Sequence, residues 1–162
     1  MESTIFAGAV TVEEGGLFRR KPGQDSWESL QVGLPDRVKV YAIVEGQGDT
    51  LFVGAHQGVF RSDDGGESWA DMQVPADGRP IYSLLVHPGA PDTIYAGSDP
   101  AAIFKSQDGG ATWRRLATVQ PEGAITGWFP VRVLKMAVDP SDTDHIYAAL
   151  EVGGVIRSLD GG

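Results

Sequence analysis

The chain contains no cysteine and no asparagine, and its 162 residues hold only 13 Lys and Arg against 22 Asp and Glu. Without cysteine there is no disulfide framework, no thiolate metal site and no thiol nucleophile. Without asparagine there is no N-glycosylation sequon. A formal net charge of −9 argues against nucleic acid and anionic lipid as partners, since both would be repelled. No stretch approaches the ~18–20 consecutive apolar residues that span a bilayer, so no membrane segment is expected. The region Met1–Gly16 carries three Glu and no basic start, which does not read as a secretory leader. The default expectation is therefore a cytoplasmic protein. Helical periodicity is absent as well.

What the sequence does have is turn formers: 22 Gly and 10 Pro, about a fifth of the chain. It also repeats itself. Four blocks open on a short apolar strand, at Thr4-Ile5-Phe6-Ala7-Gly8, Thr50-Leu51-Phe52-Val53-Gly54, Thr93-Ile94-Tyr95-Ala96-Gly97 and His145-Ile146-Tyr147-Ala148-Ala149. A second strand follows in each, at Gly16–Arg20, Gly58–Ser62, Ala102–Ser106 and Gly154–Ser158. A polar glycine-rich turn and then a tryptophan come next, with Trp27, Trp69 and Trp113 spaced by 42 and 44 residues. One further apolar strand separates the blocks, at Val38–Val44, Ile81–Val86 and Val133–Val138. A unit of four short strands recurring every ~40–50 residues is the pattern of a β-propeller blade. Sandwiches and barrels lack such a repeat, and β-helices repeat at a far shorter period. With strands lettered A (inner) to D (outer), the order reads B-C-D, A-B-C-D twice, then A-B-C. The fold class expected is all-β, a propeller of four-stranded antiparallel blades. The blades fall at about 2–37, 38–79, 80–130 and 131–162.

The turns read Ser62-Asp63-Asp64-Gly65-Gly66-Glu67-Ser68-Trp69 and Ser106-Gln107-Asp108-Gly109-Gly110-Ala111-Thr112-Trp113, with Ser158-Leu159-Asp160-Gly161-Gly162 as a third partial copy. Each Asp can fold its carboxylate onto main-chain N–H groups, the glycines accept positive φ, and the Trp can bury a large apolar surface on the neighbouring sheet. In the first block the pattern decays to Arg20-Lys21-Pro22-Gly23-Gln24-Asp25-Ser26-Trp27. These turns resemble the Asp-box, or BNR repeat, of a propeller superfamily that includes sialidases, xyloglucan-degrading glycosidases, sortilin-type receptors and photosystem assembly factors. The resemblance implies a ring of six to eight blades, or ten in the sortilins. It implies too that the boxes sit on the C–D hairpins, away from the ligand face. Ser62, Asp64, Gly66, Ser68, Trp69, Ser106, Asp108, Gly110, Thr112, Trp113, Ser158, Asp160 and Gly162 are accordingly expected to be structural. An EF-hand is excluded by the ligand order. Fourteen strands make three and a half blades, so an N-terminal portion of a larger ring is expected. Its open end faces would favour self-association.

The ligand face of a propeller is built from the D–A and B–C connections. The B–C corners carry His56, Asp99 and Glu151, and the long D–A connection Ala117–Pro130 carries Trp128. Arg37, Arg79 and, one register off, Arg132 precede the inner strands and would suit an anionic ligand by bidentate pairing. The competing reading of each arginine is a salt bridge to an acidic loop. His56, His87 and His145 never pair at ligand spacing, and Asp139–Asp144 reads as a solvated A–B turn, so no metal and no cofactor are expected. Two function classes follow. One is a binding or scaffolding module for a protein or a glycan. The other is a glycoside hydrolase, for which Asp99 and Glu151 are the candidate carboxylate pair. Pro35-Asp36-Arg37 and Pro130-Val131-Arg132 do not reproduce the Arg-Ile-Pro motif of sialidases.

Overall fold

The computed structural model describes residues 3–10, 15–116 and 131–162. Every regular element in it is a strand: β1 (Ile5–Val10), β2 (Gly15–Arg20), β3 (Glu28–Leu30), β4 (Val40–Glu45), β5 (Leu51–Ala55), β6 (Gly58–Ser62), β7 (Ala70–Asp71), β8 (Ile81–Val86), β9 (Ile94–Ser98), β10 (Ile103–Ser106), β11 (Arg114–Arg115), β12 (Val133–Val138), β13 (Ile146–Leu150) and β14 (Gly154–Ser158). They build four antiparallel sheets in chain order: β1-β2-β3, β4-β5-β6-β7, β8-β9-β10-β11 and β12-β13-β14. This is the strand order that the repeat predicts. Among the described residues no helix is long and apolar enough to cross a membrane.

The sheets stack face to face, with β1 against β4, β4 against β8 and β8 against β12. A middle sheet is thus covered on both sides, and its strands need apolar residues on both faces. That is why Leu51-Phe52-Val53-Gly54-Ala55 and Ile94-Tyr95-Ala96-Gly97-Ser98 are buried at every position instead of alternating. Three apolar cores result, one per interface, centred on Val53, Phe104 and Val133. The two end sheets leave apolar side chains in solvent, among them Ile5 and Val10 on β1 and Val155 on β14.

Close approach of the sheets depends on a glycine at one repeat position, Gly8, Gly54 and Gly97. A Cβ at Gly97 would lie 2.6 Å from Val133 Cγ1, and one at Gly54 would lie 3.0 Å from Ile81 Cγ2. The first residue of each following inner strand drops into that notch.

The inner strands are not regular. Val40 and Ala42 face consecutive residues of β5, so Tyr41 is an extra residue; Tyr82 on β8 and Leu134 on β12 are extra in the same way. Such a bulge re-aims the side chain it carries.

Candidate functional site

Each polar turn closes on its own aspartate. Ser62 Oγ donates to Asp64 Oδ1 at 2.7 Å and accepts from Gly66 N at 2.8 Å, while Ser68 N and Oγ donate to the two Asp64 oxygens at 2.9 and 2.6 Å. Trp69 Nε1 then donates to Gly66 O at 3.2 Å. Ser106, Asp108, Gly110, Thr112 and Trp113 repeat these bonds. Ser158, Asp160 and Gly162 repeat the first part of them. Both oxygens of Asp64 and Asp108 are committed inside the turn. The turns also tie the blade together, since Gly65 N, Gly109 N and Gly161 N donate to the A–B turn carbonyls of Asp49, Asp92 and Asp144. The decayed first turn behaves differently. Trp69 is 5% exposed but Trp27 is 46% exposed, with Arg20 over its ring at 5.5 Å, so the decayed first turn does not bury its tryptophan as the second does.

A basic residue near the end of β2, β6 and β10 reaches into the next sheet. Arg19 Nη1 donates to Gly65 O at 3.0 Å, Arg61 Nη1 to Gly109 O at 2.7 Å and Lys105 Nζ to Gly161 O at 2.6 Å. Tyr95 Oη joins Lys105 on the same carbonyl at 2.7 Å.

Hydrogen bonds from the Thr112 hydroxyl and amide and from Ser106 lower the Asp108 carboxyl to about 2. The equivalent bonds from Ser68 and Ser62 hold Asp64 well below the usual carboxylate range. A carboxylate depressed in the folded state contributes its full stabilisation above the unfolded value and loses it as pH falls through the folded one. Acid titration of the denaturation midpoint is therefore expected to be flat above about pH 4 and to fall between about pH 4 and 2. Asp108→Asn should be less stable at neutral pH and show a shallower fall; parallel curves would mean the carboxylate contributes nothing to that slope.

At the inner edge of the sheets the three B–C corners occupy one repeat position. The amides of His56, Asp99 and Glu151 donate to the carbonyls of Lys39, Pro80 and Arg132, each at 3.0 Å. Arg132 Nε contacts Asp99 Oδ2 at 2.8 Å, and its Nη1 contacts Glu151 Oε1 at 3.4 Å. Its guanidinium also lies 5.0 Å from the Tyr82 ring centroid, and the Tyr82 ring stacks on Tyr41 with centroids 4.2 Å apart. Tyr41 and Tyr82, each carried by a bulge, thus line up with Arg132 across three neighbouring sheets. Burial, then the Tyr82 hydroxyl, pushes the Tyr41 phenol up. Two buried atoms at this rim have no hydrogen-bond partner among the described residues: Arg79 Nη1 and Asp99 Oδ1.

The three arginines differ in their partners. Arg132 joins Asp99 and Glu151, whereas Arg79 lies 3.9 Å from Asp77 and Arg37 is exposed with a φ of 53°. They fall four, three and two residues ahead of Tyr41, Tyr82 and Leu134, which are equivalent positions, so their side chains leave the backbone at different registers. His56 is exposed on its corner. Trp128 lies outside the described residues. Asp139–Asp144 forms the β12–β13 turn, where Asp139 accepts from Ser141 N at 2.8 Å. Among the described residues no three His, Asp or Glu side chains gather as metal ligands. Tyr41 and Tyr82 were not singled out from the sequence, although their shared repeat position offers the signal.

A family model described as the DUF6242 beta propeller domain matches residues 10–160. A xyloglucanase of Hypocrea jecorina is 25% identical over 161 residues, covering 94% of this chain and 18% of its own length. This chain therefore spans about a fifth of that relative. Among solved structures, an ancestral GH74 enzyme superposes with a TM-score of 0.74 at 23% identity, over 91% of this chain and 20% of the other. The extracellular domain of the one component system BT4673 from B. thetaiotaomicron superposes with a TM-score of 0.73 at 16% identity, over 95% and 19%. These two likenesses show the fold alone.

Proposed function

The chain belongs to the DUF6242 β-propeller domain family, and from that premise we propose that it is a binding module whose ligand face is the inner rim around Tyr41, Tyr82, Asp99 and Arg132, with a glycan as the ligand. The observation that carries this reading is the pair of unsatisfied atoms at that rim, one a donor (Arg79 Nη1) and one an acceptor (Asp99 Oδ1). Unpaired buried polar atoms cost about 1–3 kcal/mol each. A hydroxyl both donates and accepts, so a polyhydroxylated ligand offers what each kind of group lacks. The tyrosine stack beside them supplies an apolar ring surface of the kind on which sugar faces lie, and the Arg132 ion pairs fix its position.

Glycoside hydrolysis is the second reading, favoured by the 25% identity to a xyloglucanase. Against it stands the engagement of Asp99 and Glu151 by a single guanidinium at 2.8 and 3.4 Å. An inverting pair instead stands ~6.5–9.5 Å apart across an open space that holds the attacking water.

Calorimetric titration with xyloglucan oligosaccharides separates the readings. Binding without release of reducing ends is expected, weakened about tenfold or more in Arg79→Gln and in Arg132→Gln. The melting temperature of Arg79→Gln should not fall, because the substitution removes a buried donor without a partner. Release of reducing ends would put the hydrolase reading in its place. Binding that ignores both substitutions would move the site away from this rim, and binding only to protein partners would remove the glycan.

A further inference from the structure

The dipeptide Asp-Gly occurs four times, at Asp64-Gly65, Asp77-Gly78, Asp108-Gly109 and Asp160-Gly161. In such a pair the main-chain nitrogen of the glycine can attack the side-chain carboxyl before it, because glycine puts no Cβ in the way. The reaction needs a free carboxyl, a free amide on the next residue and a backbone able to bring one onto the other. The chain has no asparagine, so no side-chain amide offers a competing route to the same product.

Three of the four copies have neither group free. Gly65 N, Gly109 N and Gly161 N donate to the carbonyls of Asp49, Asp92 and Asp144 at 3.0, 2.9 and 2.8 Å. Gly65 O, Gly109 O and Gly161 O accept from Arg19, Arg61 and Lys105, so each glycine is held at both ends. The carboxylates accept from Ser62 and Ser68, from Ser106 and Thr112, and from Ser158. These bonds hold Asp64, Asp108 and Asp160 below the usual carboxylate range. The protonated carboxyl, which is the form with a hydroxyl to lose, is correspondingly rarer there.

The remaining copy lies in the connection from β7 to β8 and is free on both sides. The Asp77 side chain is 81% exposed, and Arg79 Nη1 stands 3.9 Å from its carboxylate, beyond a hydrogen bond. Among the described residues Gly78 N donates to no main-chain carbonyl, and a Cβ on Gly78 would meet nothing within 4 Å. Both residues take positive φ, 52° at Asp77 and 76° at Gly78, a conformation that suits the glycine and strains the aspartate.

We propose that Asp77-Gly78 is a site of spontaneous isoaspartate formation, the one Asp-Gly copy at which the folded chain leaves both reacting groups free. The Gly78 nitrogen attacks the Asp77 side-chain carboxyl carbon; the amide proton and the carboxyl hydroxyl leave as water, and a succinimide ring closes. Water then adds to either ring carbonyl and breaks its bond to nitrogen. Opening at the side-chain carbonyl restores aspartate. Opening at the main-chain carbonyl leaves the chain running through the side chain, with a free α-carboxylate. One water is lost and one regained, and nothing is oxidised or reduced. The product adds a methylene to the main chain two residues ahead of Arg79, so the β7–β8 connection then brings Arg79 to the inner rim by a longer path. The new α-carboxylate is the group that S-adenosylmethionine-dependent isoaspartyl methyltransferases esterify.

The test incubates the 162-residue chain in water enriched in heavy oxygen, folded in buffer and unfolded in urea. Each ring opening takes one oxygen from water, so fragmentation mass spectrometry counts every event at each aspartate, including those that return to aspartate. In the folded protein, label and isoaspartate at Asp77 should accumulate about tenfold or more faster than at Asp64, Asp108 or Asp160, where hydrogen bonds must open before the ring can close. In urea the four rates should converge, because only the fold distinguishes the copies. Asp77→Glu, whose longer side chain does not form this ring, should lose most of the methyl groups that an isoaspartyl methyltransferase transfers to the aged protein. Equal labelling of the four sites in the folded chain, or no label at Asp77, would overturn the proposal. So would methyl acceptance that persists in Asp77→Glu, or a fourfold ranking that urea leaves unchanged, because the local sequence and not the fold would then set the rates.

Discussion

Gly97→Val is expected to destabilise the protein by about 3 kcal/mol or more, the upper end of overpacking costs. A Cβ there would stand 2.5 Å from Ser83 Oγ and 2.6 Å from Val133 Cγ1, and both belong to strands fixed by their own ladders. Neither neighbour is the loose end of a flexible chain, so relief requires the third and fourth sheets to part. Gly89→Ala is the matched control, because its nearest neighbour is the His87 ring at 3.5 Å, an ordinary contact. Urea denaturation of the two variants should show a large and a near-zero change. Val133→Ala should restore part of the loss in the Gly97→Val background, since the two sites are in contact and their effects do not add. Equal midpoints for the wild type and Gly97→Val would mean that the sheets are not packed through this notch.

Trp69→Ala and Trp27→Ala should differ several-fold although the two residues share a repeat position. Trp69 is 5% exposed in the core between the first and second sheets, and its indole N–H donates to Gly66 O. Its truncation is expected to cost about 3–5 kcal/mol. Trp27 is 46% exposed, with the Arg20 guanidinium over its ring, so its loss should stay below about 1 kcal/mol. Denaturant midpoints at constant slope measure both. Similar losses would show that the first turn holds its tryptophan despite lacking the Ser and Asp.

The strand order was legible because the repeat states it several times over. An apolar run such as Ile94–Ser98 could belong to a helix or a strand when read alone, but four aligned copies between glycine-rich turns leave only the strand. The closure of the turns on Asp64 and Asp108 was legible for a local reason: donor and acceptor lie two to four residues apart. The rim was not. The extra residues at Tyr41, Tyr82 and Leu134 arise from how each inner strand meets its neighbour, and nothing in their own sequence marks a bulge. Likewise Arg37, Arg79 and Arg132 look alike as arginines ahead of strands. A shift of one residue redirects a side chain in extended backbone, and only Arg132 meets Asp99. Arg19, Arg61 and Lys105 stand in plain view beside the turns, yet their partners lie 46, 48 and 56 residues further on.

Those last three contacts have a direction. In each, the donor belongs to the earlier sheet and the acceptor is a turn carbonyl of the later one. The acceptor is main chain, so it survives any change of side chain that preserves the turn. A segment such as β4–β7 with its turn carries both halves of the contact: Gly65 O for the sheet before it and Arg61 for the sheet after it. Copied in tandem, it would meet its duplicate with a fitting donor and acceptor already in place. Lengthening such an array by gene duplication therefore keeps this contact at the new junction, and side-chain divergence can follow afterwards elsewhere on the repeat.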